Sequence, residues 1–86
     1  MSLRTRVPLP KIGMTMEEAT VVRYYKQPGE VFRRGEPLYE IETEKISQAV
    51  EATADGVMVE HAVAEGTEVR VGEDVCVVDL AEGMAG

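Results

Sequence analysis

Three side chains in this sequence have chemistry to weigh: the amine of Lys45, the imidazole of His61 and the thiol of Cys76. Lys45 is the most promising by position. Ahead of it, Leu38-Tyr39-Glu40-Ile41-Glu42 alternates like a half-buried strand, and after it Ile46 to Val50 is weaker but still strand-like. Lys45 therefore falls where the chain reverses, at a hairpin tip. A lysine there is either a solvated turn residue, as most exposed lysines are, or a nucleophilic amine held out on a long stem for another enzyme to acylate. A water-exposed alkylammonium has no base of its own, so an attaching enzyme would have to supply one. The neighbours Glu40, Glu42, Glu44 and Glu51 form either a solvated face or a recognition signal. Alternate strand residues face opposite ways, so the four cannot share one side, and Glu44 beside the tip is the recognition candidate.

The other two groups read as structural. His61 closes the strand-like run Val57-Met58-Val59-Glu60 and is expected as a partly exposed strand histidine. Cys76 lies in the apolar run Val75 to Val78 and is expected as a small buried side chain. A single cysteine excludes an internal disulfide and a set of metal-binding thiols, and no metal site is expected. The formal charge of −7 argues against nucleic acid, because a phosphate backbone needs clustered Lys and Arg and the only adjacent pair is Arg33-Arg34. An acidic surface favours basic partners instead. There is no apolar run of membrane-spanning length and no signal-peptide pattern at the start, which reads as a cytosolic or equivalent reducing compartment.

Four stretches together resemble a known family: Glu42-Thr43-Glu44-Lys45 with Ile46, the opening run Pro10-Lys11-Ile12-Gly13-Met14-Thr15-Met16-Glu17-Glu18, the turn Gln27-Pro28-Gly29-Glu30, and Glu51-Ala52-Thr53-Ala54-Asp55-Gly56. They resemble the lipoyl domains of 2-oxo acid dehydrogenase complexes, over roughly Val7 to Leu80. The resemblance implies lipoate in amide linkage on Lys45, with Thr43, Glu44 and Ile46 presenting it for recognition. It also implies that Gly13, Met14, Thr15, Met16 and Glu17 form a loop beside the lysine turn that the decarboxylase recognises; otherwise the two methionines cap the core. Glu44 stands where Asp is usual and Ala19 where Gly is usual, which keeps the charge and the small size respectively.

By the same resemblance the domain is a non-catalytic carrier, part of a dihydrolipoamide acyltransferase. Its implied partners are a lipoate ligase or lipoyl transferase, a thiamine-dependent decarboxylase, the acyltransferase core and a flavin dihydrolipoamide dehydrogenase, in a bacterial cytoplasm or mitochondrial matrix. The opening run and Ile46 look more like pyruvate, branched-chain or acetoin-type complexes than 2-oxoglutarate ones. His61-Ala62-Val63-Ala64-Glu65-Gly66 echoes the His-x-x-x-Asp-Gly motif of the acyltransferase core, but the acid is Glu and the chain has no room for a coenzyme A domain. A biotin carrier shares the implied fold, but usually has Met on both sides of the lysine. An unmodified docking module is the other alternative, and needs no tip lysine.

The elements that would hold Lys45 follow from punctuation. Eighty-six residues make one small domain, and an interior of Val, Ala, Ile and Leu with few aromatics suits thin packed sheets without a deep substrate cavity. Residues 1–6 read as a frayed start or cloning remnant, 7–80 as the domain and 81–86 as a tail or the start of a linker. Val7 to Pro10 reads as an edge strand, Gly13 to Glu18 as a loop, and Thr20 to Tyr25, Val57 to Ala62 and Val75 to Leu80 as strands, with a short one near Val69. Gln27-Pro28-Gly29-Glu30 fits a type II turn, and Ala54-Asp55-Gly56 and Glu65-Gly66 read as turn punctuation in the second half. At an offset of 37, Val22, Gly29, Arg33, Gly35 and Glu36 meet Val59, Gly66, Arg70, Gly72 and Glu73. Two halves too small to bury their own apolar faces predict an all-β, quasi-twofold flattened barrel or sandwich of two antiparallel sheets. Lys45 and the chain ends should then lie at opposite ends, with the domain monomeric.

Overall fold

The computed structural model describes residues 2–81. Met1 and residues 82–86 of the expected tail lie outside the described residues, while Ala81, the first residue of that tail, instead ends the last strand. Eight strands follow one another: β1 Ser2–Pro8, β2 Glu18–Tyr24, β3 Val31–Phe32, β4 Pro37–Glu42, β5 Ser47–Glu51, β6 Gly56–His61, β7 Thr67–Arg70 and β8 Asp74–Ala81. They form two antiparallel sheets, ordered β1-β8-β6-β3 and β5-β4-β2-β7. Replacing each strand by the one four places along turns the first order into the second, so the predicted twofold is realised strand for strand. The sheets remain separate, giving a sandwich rather than a closed barrel.

The repeat has a backbone cause. Gly29 and Gly66 have φ of 94° and 89°, Gly35 and Gly72 φ of 90° and 94°, a region that costs glycine little and other residues much. Gly29 N–H donates to Met58 O (2.7 Å) and Gly66 N–H to Val21 O (2.6 Å), so a turn of each half bonds onto a strand of the other. Arg33 N–H donates to Glu36 Oε1 and Arg70 N–H to Glu73 Oε1, both at 2.7 Å. Val22 and Val59 are the residues skipped where the β2–β4 and β6–β8 registers shift. At Gln27 to Glu30, the φ of Gly29 and a 2.9 Å bond from Glu30 N–H to Gln27 O are those of the type II turn the sequence predicts.

Two further expectations need correction, and one strand was not expected. Residues 2–6 are not frayed: β1 pairs with β8 from Ser2↔Ala81 to Val7↔Cys76, with Arg4 on Asp79 at 3.2 Å and Arg6 near Asp74 at 3.8 Å. The pairing partner is supplied by the far end of the chain, and an edge strand with one wet face carries no apolar signal of its own. Gly56 is not turn punctuation but the buried first residue of β6, without positive φ. A side chain there would overlap the Asp79 carbonyl and lie 2.9 Å from Phe32 Cζ, so β3 passes too close for anything larger. The two-residue β3 itself, the twofold mate of β7, has too little sequence to announce it.

Between the sheets lie Leu9, Val21, Phe32, Tyr39, Ile41, Met58, Val75, Cys76 and Val78, each fully buried. Tyr24 meets Tyr39 edge-on at 6.2 Å and stacks on His61 at 3.5 Å. Its hydroxyl lies 2.7 Å from Val63 O and 2.8 Å from Val75 O, and burial pushes its pKa up to about 12. Ala81 N–H donates to Asp55 O, and Gly35 N–H to Ala52 O. The first bond, with the Ser2↔Ala81 pairing, sets the outer ends of β1 and β8 beside residues 52–55, which lead on from the Pro37↔Glu51 end of the β4–β5 ladder. Lys45 follows Glu42↔Ser47 at the other end.

Candidate functional site

Residues 43–46 close the β4–β5 hairpin. Thr43 N–H donates to Ile46 O (2.8 Å), and Thr43 Oγ1 accepts from the N–H groups of both Lys45 (3.2 Å) and Ile46 (3.1 Å). Glu44 and Lys45 make the reversal in water without a positive φ. No carboxylate among the described residues lies within ion-pair distance of Lys45. The Lys45 amine is thus exposed, without an ion-pair partner among the described residues, and mounted on a turn held by hydrogen bonds.

The second side of the site is the nine-residue loop between β1 and β2, which is longer than its twofold mate between β5 and β6 by five residues. The excess brings residues 13–17 alongside the hairpin. Between them is a cleft of ≈ 800 Å³ lined by Gly13, Thr15, Met16, Glu17, Glu42 and Glu44, with Thr43, Lys45 and Ile46 on the hairpin side. Met16 N–H donates to Gly13 O (3.2 Å), and the Met16 side chain, 9% exposed, joins the core and anchors the loop. Met14 points away into solvent at 93% exposure, and Ile46 is 38% exposed. Of the two methionines, Met16 therefore takes the core-capping place weighed for both, and Met14 does not.

All nine expected site residues, 13–17 and 43–46, thus gather at one end of the sandwich. Glu18 and Glu68 join them, making five carboxylates around a single cation. Glu68 was not foreseen: it arrives through the β2–β7 pairing, opposite Thr20, and no local pattern marks it. Glu40 and Glu51 are not in the cleft. Glu40 accepts from Tyr25 Oη and from Ser47 Oγ (2.8 Å), and these bonds, with Arg23 beyond at 3.9 Å, hold its carboxyl below the ordinary carboxylate range.

His61 and Cys76 take no part. The His61 ring stacks on Tyr24, and its Nε2 lies 2.8 Å from Lys26 O, so that nitrogen carries the proton. Cys76 is fully buried, which pushes its thiol up to about 12 and leaves it inert.

The family model described as "Biotin-requiring enzyme" matches residues 5–78. The chain is 36% identical over 85% of its length to the dihydrolipoyllysine-residue succinyltransferase component of the 2-oxoglutarate dehydrogenase complex of Rickettsia conorii. It is 33% identical over 88% of its length to the dihydrolipoyllysine-residue acetyltransferase component of the acetoin cleaving system of Bacillus subtilis. It spans 18% of the length of each of these relatives. Among solved structures, the lipoyl domain of the 2-oxoglutarate dehydrogenase complex of Azotobacter vinelandii superposes with a TM-score of 0.70 at 36% identity. That match covers 91% of this chain and 96% of that one. Identities this close across different complexes do not divide along the line that the opening run suggests.

Proposed function

The chain belongs to the biotin- and lipoyl-attachment family and is a lipoyl domain, and from that premise we propose that Lys45 carries lipoate in amide linkage. The observation that supports this most directly is the exposed Lys45 amine, without an ion-pair partner among the described residues, at the tip of a hydrogen-bonded hairpin. An amide-forming enzyme needs an accessible amine on a long stem, and the tip presents one. Once attached, lipoate would supply a disulfide able to take up electrons and an acyl group. The chain's own contribution is presentation, since among the described residues the titratable groups lining the cleft beside Lys45 are glutamates alone. Amide formation removes one positive charge, taking the formal charge from −7 to −8 and leaving the five carboxylates of the cleft without a cation among them.

Partners with basic rims would be steered to this end of the sandwich. The proposed partners are a lipoate ligase or lipoyl transferase, then a thiamine-dependent decarboxylase, an acyltransferase core and a flavin dihydrolipoamide dehydrogenase of a 2-oxo acid dehydrogenase complex. Gly13, Met14, Thr15 and Glu17 offer the decarboxylase a surface next to the lysine. Attachment at the end opposite Ser2 and Ala81 would let a carrier tethered through them reach successive active sites at high effective concentration. The relatives come from bacteria and, in fission yeast, from a protein described as mitochondrial. A bacterial cytoplasm or mitochondrial matrix is the compartment proposed.

The test is incubation with lipoate ligase and, separately, biotin ligase, followed by intact mass and peptide mapping. One lipoyl amide on Lys45, lost in Lys45→Arg, is the expected result. Persistent labelling of Lys45→Arg would refute the assignment, biotin on Lys45 would replace it with carboxyl transfer, and refusal by both ligases would leave a docking module.

A further inference from the structure

Resting on that carrier reading, we infer that Thr43 is a positioning residue, whose hydroxyl oxygen holds the Lys45 backbone in the one geometry that an attaching enzyme accepts. Thr43 and Ile46 flank a two-residue hairpin loop. Such loops ordinarily use turns with φ > 0, which match the twist of the strands and call for Asn or Gly. Glu44 and Lys45 are neither, and neither has positive φ. Thr43 N–H still donates to Ile46 O, but the return bond from Ile46 N–H goes to Thr43 Oγ1, and Lys45 N–H goes to the same atom.

One side-chain oxygen taking the N–H groups two and three residues ahead is the bonding that Ser, Thr, Asn or Asp makes at the start of a helix. Here it stops after a single turn. The Thr43 oxygen replaces the backbone geometry that the loop residues cannot supply, and allows an L-amino acid with a long side chain to occupy the tip. Both bonds, at 3.1 and 3.2 Å, are within the normal range, and with the 2.8 Å bond from Thr43 N–H to Ile46 O they close the loop. Without the oxygen, two amide donors are left to water and the loop samples other turns. The Lys45 amine is equally exposed in all of them but differently aimed. Accessibility alone would then be kept, and orientation lost.

The test compares Thr43→Val, Thr43→Ser and Thr43→Asn in the full chain. It measures hydrogen exchange at the Lys45 and Ile46 amides by NMR, the thermal midpoint, and kcat/KM for lipoate attachment by lipoate ligase. Valine keeps the shape and removes the acceptor; it should speed exchange at both amides and lower kcat/KM about tenfold, the rate equivalent of about 1.4 kcal/mol, with the midpoint unchanged. Serine and asparagine bring an oxygen to the same place and should restore both readouts. Unchanged exchange in Thr43→Val overturns the inference. So does slow attachment that serine rescues and asparagine does not, because the enzyme would then be reading the hydroxyl itself. If the wild-type chain is not lipoylated on Lys45, it is the carrier reading that fails, and amide exchange still decides whether Thr43 holds the tip.

Discussion

Gly56→Ala should be among the most damaging single-methyl changes in this protein. A Cβ at Gly56 overlaps the Asp79 carbonyl oxygen and lies 2.9 and 3.2 Å from Phe32 Cζ and Cε1, where carbon atoms prefer about 3.5–4.0 Å. Neither neighbour can retreat cheaply. Asp79 lies in β8, paired with Val57, and Phe32 is fully buried. Overpacking of this kind costs about 1–3 kcal/mol, and a loosened ladder hydrogen bond costs about 1 kcal/mol more. Restricting the unfolded chain returns about 0.4–1 kcal/mol. The net expectation is a loss of about 1–3.5 kcal/mol, which lowers the thermal midpoint by roughly 4–28 °C in a domain of this size. Urea titration and thermal melting followed by circular dichroism measure it. Gly13→Ala is the internal control, because its nearest contact would be Met16 Cβ at 4.0 Å and its φ is not positive; it should be neutral or slightly stabilising. A Gly56→Ala protein within about 0.5 kcal/mol of the wild type, inside the range of an ordinary surface change, would refute the close approach of β3 and β8 at this point.

Tyr39→Phe should stabilise the fold by about 1–2 kcal/mol, because the Tyr39 hydroxyl is buried with no hydrogen-bond partner among the described residues; a lower melting midpoint would show that it has one. Cys76, its thiol pushed up to about 12 by burial, should resist iodoacetamide at pH 8 in the folded protein and react readily in urea, and fast labelling of the native chain would contradict the packing. Glu36 has its carboxyl lowered by the Arg33 N–H and by Lys26 at 3.5 Å. Because the folded value lies below the unfolded one, its contribution is present above the ordinary carboxylate range and is lost as pH falls through the lowered value. Glu36→Gln should therefore flatten the acid limb of stability against pH, and an unaltered acid limb would exclude the contribution.

The sequence by itself determined the parts whose cause is local. Lys45 at a reversal between two alternating runs, the type II turn at Pro28-Gly29 and the paired glycines at an offset of 37 are backbone demands that a short stretch must meet with particular residues. They carried the twofold plan and the position of the tip lysine. Tertiary structure decided what depends on partners distant in the chain. Ser2 to Arg6 became a strand because β8 returns beside it. Gly56 became a packing residue because Phe32 crosses over it. Met14 and Met16, indistinguishable as letters, separated into one solvent-facing and one core side chain because the loop's Gly13–Met16 turn points only the second inward. Glu68 entered the cleft through strand pairing, and the Thr43 hydroxyl became the anchor of the tip because two amides happen to converge on it. Periodicity reports which face of an element is dry, whereas only the assembled sheets fix which dry faces meet and which charged ones share a cleft.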